Sequence, residues 1–192
     1  SATAIGQTTT ASNTNALAVG TSATASGASA TAIGLDSDAT GTNAVALGVS
    51  ALSSGTRSTA IGQTSSASQT DAQAFGTNAS ASNTNALAVG TSASASGAKS
   101  TAIGRASEAT STDAQAFGTS ANASSASAMA IGNSASASNL SATAIGQTTT
   151  ASNTNALAVG TSATASGASA TAIDRKSTRL NSSHSSVSRM PS

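Results

Sequence analysis

The chain has 192 residues, dominated by small side chains, and Phe75 and Phe117 are its only aromatic residues. It has no cysteine, which excludes a disulfide framework, thiol chemistry and a Cys-ligated metal. The formal net charge is +1, but residues 1–173 carry three basic and five acidic side chains, so the positive excess lies in residues 174–192. An ordinary core of Leu and aromatic residues is therefore excluded, and the charge gives no reason to expect nucleic-acid binding.

Such a composition would also suit a disordered segment, but the sequence is strictly periodic. Divided every fourteen residues from Ser1, it gives twelve complete units that align without a gap and end at Ala168; a thirteenth begins SATAI. The fourth position is Ala and the sixth is Gly in every complete unit. A disordered tract has no reason to keep such a register, so the period predicts a repeat protein.

The first predicted element of each unit is a short strand at positions two to five, where Ala alternates with a larger residue, as in ATAI and ALAV. Its fifth position is always large and apolar: Ile5, Val19, Ile33, Leu47, Ile61, Phe75, Val89, Ile103, Phe117, Ile131, Ile145 and Val159. A glycine predicted to form a turn follows at the sixth position: Gly6, Gly20, Gly34, Gly48, Gly62, Gly76, Gly90, Gly104, Gly118, Gly132, Gly146 and Gly160.

The second predicted element is a strand around positions nine to eleven, with Ala, Ser or Thr at nine and eleven and mostly polar residues between them. The thirteenth position is Gly or Asn in nine of twelve units, and we expect a left-handed corner there. Two heptads of coiled coil would also span fourteen residues, but an invariant Gly disfavours a helix by roughly 1 kcal/mol per unit. Each unit is therefore predicted to be one coil of an all-β solenoid, stacked on the next at about 4.8 Å.

The strand pattern also assigns faces. Ala and Ser are small enough to let two strands lie close, so the small faces should meet inside a thin roll. The fifth positions would then form a continuous apolar stripe on the outside, which soluble monomers rarely expose. The pattern predicts self-association through this stripe, without giving the number of copies.

The repeats resemble a known family. The units NAVALGVSALSSGT, which begins with Asn43-Ala44-Val45-Ala46-Leu47-Gly48, and SATAIGQTTTASNT look like the head repeats of YadA-like trimeric autotransporter adhesins. The resemblance covers residues 1–173 and implies a homotrimer of left-handed parallel β-rolls with the fifth positions at the interface. It also implies a bacterial cell-surface location, an anchor through a stalk and an outer-membrane barrel not present here, and attachment to host matrix protein or other cells.

Residues 174–192 break the period, because Asp174 stands where Gly is due. They contain the only His and Pro and read DRKSTRLNSSHSSVSRMPS, which resembles the translation of a widely used sequencing-library adapter. We therefore predict two regions: β-roll head repeats in 1–173, and a non-native or disordered tail in 174–192. Residues 1–33 are identical to residues 141–173, so the true number of repeats is open.

No enzymatic site is predicted, because the only histidine, His184, lies in the suspect tail. Asp36 and Asp38 share one face of one unit and would suit a glycosidase pair or a cation site, but solvated side chains are the favoured interpretation. No cofactor or metal is expected, and no apolar run is long enough for membrane contact in this segment. Two alternatives to an adhesin remain: a structural spacer of a surface or phage fibre, and, less favoured, an ice-binding solenoid, since the tenth position is Thr in only four units.

Overall fold

The computed structural model describes residues 1–173, which form two parallel β-sheets and no helix. The first sheet has thirteen strands: β1 (Thr3–Ile5), β3 (Leu17–Val19), β5 (Thr31–Ile33), β7 (Val45–Leu47), β9 (Thr59–Ile61), β11 (Gln73–Phe75), β13 (Leu87–Val89), β15 (Thr101–Ile103), β17 (Gln115–Phe117), β19 (Met129–Ile131), β21 (Thr143–Ile145), β23 (Leu157–Val159) and β25 (Thr171–Ile173). The second has twelve: β2 (Thr10–Ala11), β4 (Thr24–Ala25), β6 (Asp38–Ala39), β8 (Leu52–Ser53), β10 (Ser66–Ala67), β12 (Ser80–Ala81), β14 (Ser94–Ala95), β16 (Glu108–Ala109), β18 (Asn122–Ala123), β20 (Ser136–Ala137), β22 (Thr150–Ala151) and β24 (Thr164–Ala165).

Strands alternate between the two sheets along the chain, so every fourteen-residue unit is one coil of a parallel β-solenoid. Each strand pairs with the strand one coil away and in the same register; Ala74, for example, lies opposite Ala60 and Ala88. Backbone hydrogen bonds of 2.9 Å join neighbouring coils, as from Gly20 N–H to the Ile5 carbonyl. The predicted fold class, an all-β solenoid of fourteen-residue coils, is confirmed. Below, coils are numbered 1 to 13 from Ser1, and a position is a residue's place within its coil.

The interior of the roll is a column of small side chains from positions two, four, nine and eleven. From Ala16 to Ala165, the alanines at these positions are almost entirely buried, most with no accessible surface. Because a methyl group is small, the two sheets can approach closely enough for coils 2 to 12 to bury all four inner side chains. The prediction that the small faces meet inside a thin roll is therefore correct.

Serine replaces alanine at several inner positions, and its hydroxyl is hydrogen-bonded there. Ser37 donates to the Gly34 carbonyl at 2.9 Å, and Ser58 donates to the Gly55 carbonyl at 2.7 Å. Since that bond uses the single hydroxyl proton of Ser58, Ser53 donates across the interior to the Ser58 oxygen at 2.6 Å. These buried hydroxyls are therefore satisfied by a carbonyl of the adjacent turn or by another inner hydroxyl.

The two turns of each coil are stacked as regularly as the strands. The turn after the first strand is closed by a bond from position nine to the position-six carbonyl, as from Ala23 N–H to Gly20 at 3.4 Å. The second turn is closed from position two to position thirteen, as from Ala16 N–H to Asn13 at 3.2 Å. In both turns the third residue has a left-handed backbone: Ser22 has φ 58° at position eight and Asn15 has φ 56° at position one.

The left-handed corner expected at position thirteen is not there. The sixth-position glycines have φ between 126° and 140°, but the thirteenth-position glycines are not left-handed. Gly or Asn is favoured at position thirteen for another reason. A Cβ on Gly27 would press into the backbone of Gly41 one coil on, whereas Asn13 uses its side-chain amide to donate to the Ser26 carbonyl of the next coil at 3.2 Å. Position thirteen is therefore chosen by the contact between coils.

Candidate interaction surfaces

The outer face of the first sheet carries the fifth-position residues in one continuous line, which we call the apolar stripe. Strand pairing places each stripe residue directly beside the next, as in Ile61–Phe75–Val89. These side chains are half-buried or exposed: Ile33, Ile61 and Ile103 expose 36%, 39% and 37% of their surface, and Ile5 exposes 57%. A single roll therefore leaves the predicted interface residues in contact with solvent along its whole length.

The outer face of the second sheet is formed by position ten and is mostly polar. Ser, Thr, Asn and Glu follow one another there, and the Asn122 amide donates to the Glu108 carboxylate at 3.1 Å across neighbouring strands. Leu52, exposed by 37%, is the apolar exception. The two outer faces of the roll therefore differ in chemistry: one is a line of large apolar side chains and the other resembles an ordinary protein surface.

The acidic pair of coil 3 is divided between a turn and a strand. Asp36 occupies the exposed left-handed position of a turn, and Asp38 lies in β6 between Thr24 and Leu52. Burial of the Asp38 carboxyl raises its pKa, and its Oδ1 atom accepts no hydrogen bond. Within residues 1–173 no three His, Cys, Asp or Glu side chains come together as metal ligands would.

The other charged feature is an ion pair between coils 5 and 6. Arg57 and Asp71 both occupy position one, so they are stacked, and the guanidinium donates to both carboxylate oxygens at 2.7 and 2.5 Å. This bidentate bond lowers the pKa of the Asp71 carboxyl and raises the pKa of Arg57. Because both groups lie at the surface, solvent screens the pair, and it contributes more to local order than to stability.

Some exposed apolar side chains were not predicted from the sequence. Leu35 and Val49 occupy position seven of coils 3 and 4 and expose 46% and 42% of their surface, and Leu140 at position fourteen exposes 48%. The sequence does distinguish Leu35 and Val49, because position seven is polar in the other ten coils. Leu35 and Val49 lie in the same turn of consecutive coils, where they form an exposed apolar corner.

The architecture defines a class: a repeat solenoid with an alanine interior and one apolar outer face. Comparison with known families identifies it further. The chain matches the YadA head domain repeat (2 copies) in overlapping segments that together cover 1–121 and 123–173. It therefore belongs to the YadA head repeat family, whose repeats are structural or adhesive rather than enzymatic.

A solved structure is also similar. The crystal structure of the collagen-binding domain of Yersinia adhesin YadA shares 23% sequence identity with the chain at a TM-score of 0.34. The alignment covers 93% of this chain and 64% of that one, so the chain spans less than two thirds of the solved domain. No curated protein matches the chain. In the part of the chain that the structure describes, no helix is long and apolar enough to cross a membrane.

Proposed function

We propose that this chain is part of the head of a bacterial cell-surface adhesin, in which three copies pack their apolar stripes around a common axis. The observation that carries the proposal is the stripe itself, which runs through every coil of the first sheet while the second sheet presents a polar outer face. Removing one Ile or Val side chain from water is worth about 1.5–3 kcal/mol. Repeated in each coil, this gain makes association the main source of stability for a roll whose own interior is only methyl groups and hydroxyls.

The cellular location follows from the family. Heads of this family are displayed on the bacterial surface, and we propose that a stalk and an outer-membrane anchor outside these 192 residues hold this head there. The role we assign is attachment to host matrix protein or to another cell. Small polar side chains on the outer face of the second sheet offer few binding hot spots, so each head should bind weakly, and many heads on one cell should act together.

The face assignment is tested by two aspartate substitutions in coil 5. Ile61→Asp places a charge in the stripe, whereas Ser66→Asp places the same charge on the outer face of the second sheet, where no acidic residue lies in the neighbouring strands. Burying an unpaired carboxylate at an interface is strongly unfavourable. We expect sedimentation equilibrium to show trimers for the native chain and Ser66→Asp, and dissociation for Ile61→Asp. A folded native monomer, or equal behaviour of both variants, would overturn the assignment.

The attachment role is tested separately on material already shown to be trimeric. Immobilised collagen, fibronectin and laminin, and intact host or bacterial cells, are exposed to the trimer alone and to the trimer displayed in many copies on a bead. We expect binding that is weak for the free trimer and strong for the beads. If displayed trimers adhere to none of these surfaces, the segment acts as a spacer that carries another binding domain away from the cell.

A further inference from the structure

A longer repeat of three coils is superimposed on the fourteen-residue period. Coil 6 contains the strand Gln73-Ala74-Phe75, and coil 9 contains Gln115-Ala116-Phe117, forty-two residues later. These coils carry the only two Phe residues of the chain and the only Gln residues at position three. Each follows a coil that begins with a basic residue and itself begins with Asp, which places Arg57 before Asp71 and Lys99 before Asp113 at position one of consecutive coils. We call coils 6 and 9 the Gln–Phe coils.

The Gln side chains lie on the outer face of the first sheet, beside the apolar stripe. Positions three and five point to the same side of a strand, and Gln73 is exposed while Phe75 next to it is half-buried. In the ladder Gln73 stands between Thr59 and Leu87. An amide and a large aromatic ring therefore interrupt a surface otherwise made of Ile, Val, Leu, Met and Thr.

That interruption matters because a uniform repeat does not define how two copies align along the roll. In coils 1 to 5 position three alternates: Thr3, Leu17, Thr31, Val45, Thr59. A copy displaced by two coils would face Thr with Thr and an aliphatic side chain with an aliphatic one. Position five would face only Ile, Val or Leu in those coils. The displaced arrangement would therefore bury nearly the same stripe, apart from the overlap lost at the ends.

The Gln–Phe coils remove this ambiguity. They are three coils apart, so a displacement by one or two coils places neither of them opposite its equivalent. A displacement by three superposes coil 6 on coil 9, but it puts Gln115 opposite Leu157 and Thr31 opposite Gln73. Because three is an odd number, that displacement also places Thr opposite an aliphatic residue in coils 1 and 2.

We propose that the two Gln–Phe coils set the axial register in which copies of this chain associate. In register, the amides of three Gln side chains meet in one layer, where each can donate to the next and accept from the previous. Displaced by one or two coils, the amide faces Thr, Leu, Val or Met and is left partly unsatisfied, and the Phe ring meets a layer fitted to smaller side chains. A single polar residue specifies register in coiled coils by the same means, at some loss of stability. This inference rests on the association proposed above.

The test compares the native chain with two variants. In one, Gln73→Thr and Gln115→Thr remove the amides; in the other, Phe75→Ile and Phe117→Ile are added, so the stripe becomes uniform. The control, Ser80→Thr with Asn122→Thr, changes the outer face of the second sheet in the same coils. All carry Ser94→Cys, a single attachment point for a spin label because the chain has no cysteine. Far-UV circular dichroism verifies the strand content of each protein.

Sedimentation gives the number of copies, and double electron–electron resonance gives the distances between labels. We expect trimers throughout, one narrow distance for the native chain and the control, and added longer distances for both variants. A two-coil displacement separates labels by about 10 Å along the axis. A single unchanged distance in the uniform variant would overturn the register proposal while leaving the trimer intact. A native chain that does not associate would instead overturn the trimer, and the register proposal with it.

Discussion

At the turn after the first strand, backbone conformation and the neighbouring coil both exclude a side chain. Gly90 has φ 131°, a conformation that L side chains rarely adopt, and a Cβ there would lie 2.5 Å from the Gly104 carbonyl oxygen. Gly97 at position thirteen meets only the second constraint, and other coils carry Asn, Gln or Ser at that position. Glycine is therefore required more strictly at position six than at position thirteen.

We expect Gly90→Ala to lower the free energy of unfolding by about 2–4 kcal/mol, since it adds backbone strain to a steric clash. Gly97→Ser, the residue that coil 8 already carries as Ser111, should lower it by less than half as much. Urea unfolding of both variants at one protein concentration makes the comparison. An equal or larger loss for Gly97→Ser would show that contact between coils alone explains the invariant glycine.

Asp38 is a residue whose charge opposes folding. Burial raises the pKa of its carboxyl, and Oδ1 has no hydrogen-bond donor. The folded state therefore holds the proton more tightly than the unfolded state does. The unfavourable contribution is complete at neutral pH, where the carboxyl is ionised, and it disappears as the pH falls below about 4, the ordinary pKa of Asp.

We expect Asp38→Asn to stabilise the roll at pH 7 and to have a smaller effect near pH 3. Asn is already present at the same position in coil 9, as Asn122, so the substitution suits the strand. Asp36→Asn makes the same change of charge at an exposed turn position, where coil 6 carries Asn78. Thermal melts at both pH values compare the variants. If the stabilisation by Asp38→Asn did not depend on pH, desolvation of its charge would not be the cause.

Each coil is built from two similar halves of seven residues. Positions one and eight are both left-handed, positions two and nine are both buried, and so are positions four and eleven. The halves differ in two respects: only the first carries the large fifth-position side chain, and only the first has a glycine with φ near 135°, at position six. The full period of the structure is therefore fourteen, although the backbone is close to a period of seven.

Deletions of one coil and of half a coil should consequently differ. Removing residues 85–98 joins position fourteen to position one and leaves every remaining residue in its place, so we expect an intact roll that melts at a slightly lower temperature. Removing residues 85–91 moves every later residue to the opposite half. Stripe residues beyond the deletion would lie on the second sheet, and Ser111 would occupy the turn that requires glycine.

Circular dichroism and sedimentation distinguish the two proteins. The shorter deletion, although it removes fewer residues, should give the larger loss of strand signal and of association. Similar behaviour of the two proteins would mean that the halves are interchangeable and that the stripe need not be continuous.

At the scale of the whole molecule, residues 174–192 lie outside the described residues, and their foreign origin stays a prediction. Truncation after Ile173 should leave the melting temperature and association unchanged, because the segment continues neither the period nor the stripe. Sequencing genomic DNA across this point is the direct test. A Gly codon followed by further repeats supports the adapter interpretation, whereas codons for Asp-Arg-Lys-Ser-Thr-Arg-Leu would make the segment a natural part of the protein.

The candidate interaction surface was predictable from the sequence only in part. The stripe follows from one large residue at a fixed place in every coil, and its exposure follows from the small residues opposite. The apolar corner formed by Leu35 and Val49 was not predicted, because an apolar residue in a turn has no periodic signal. The absence of a hydrogen-bond donor to Asp38 Oδ1 could not be predicted either, because it depends on which residues lie beside Asp38 in the second sheet.

The sequence by itself determined the coil. A fixed period, alternating small residues and an invariant glycine leave one parallel arrangement in which inner side chains are buried and backbone groups are paired. Only the tertiary structure decided how the turns are made: position thirteen is not left-handed, and the left-handed residues other than glycine are those at positions one and eight, which show no single preferred residue type. The physical reason is that stacked coils hydrogen-bond to each other through their turns. Ser22 N–H donates to the Gln7 carbonyl one coil away at 2.9 Å, so contacts between coils hold conformations that local sequence does not specify.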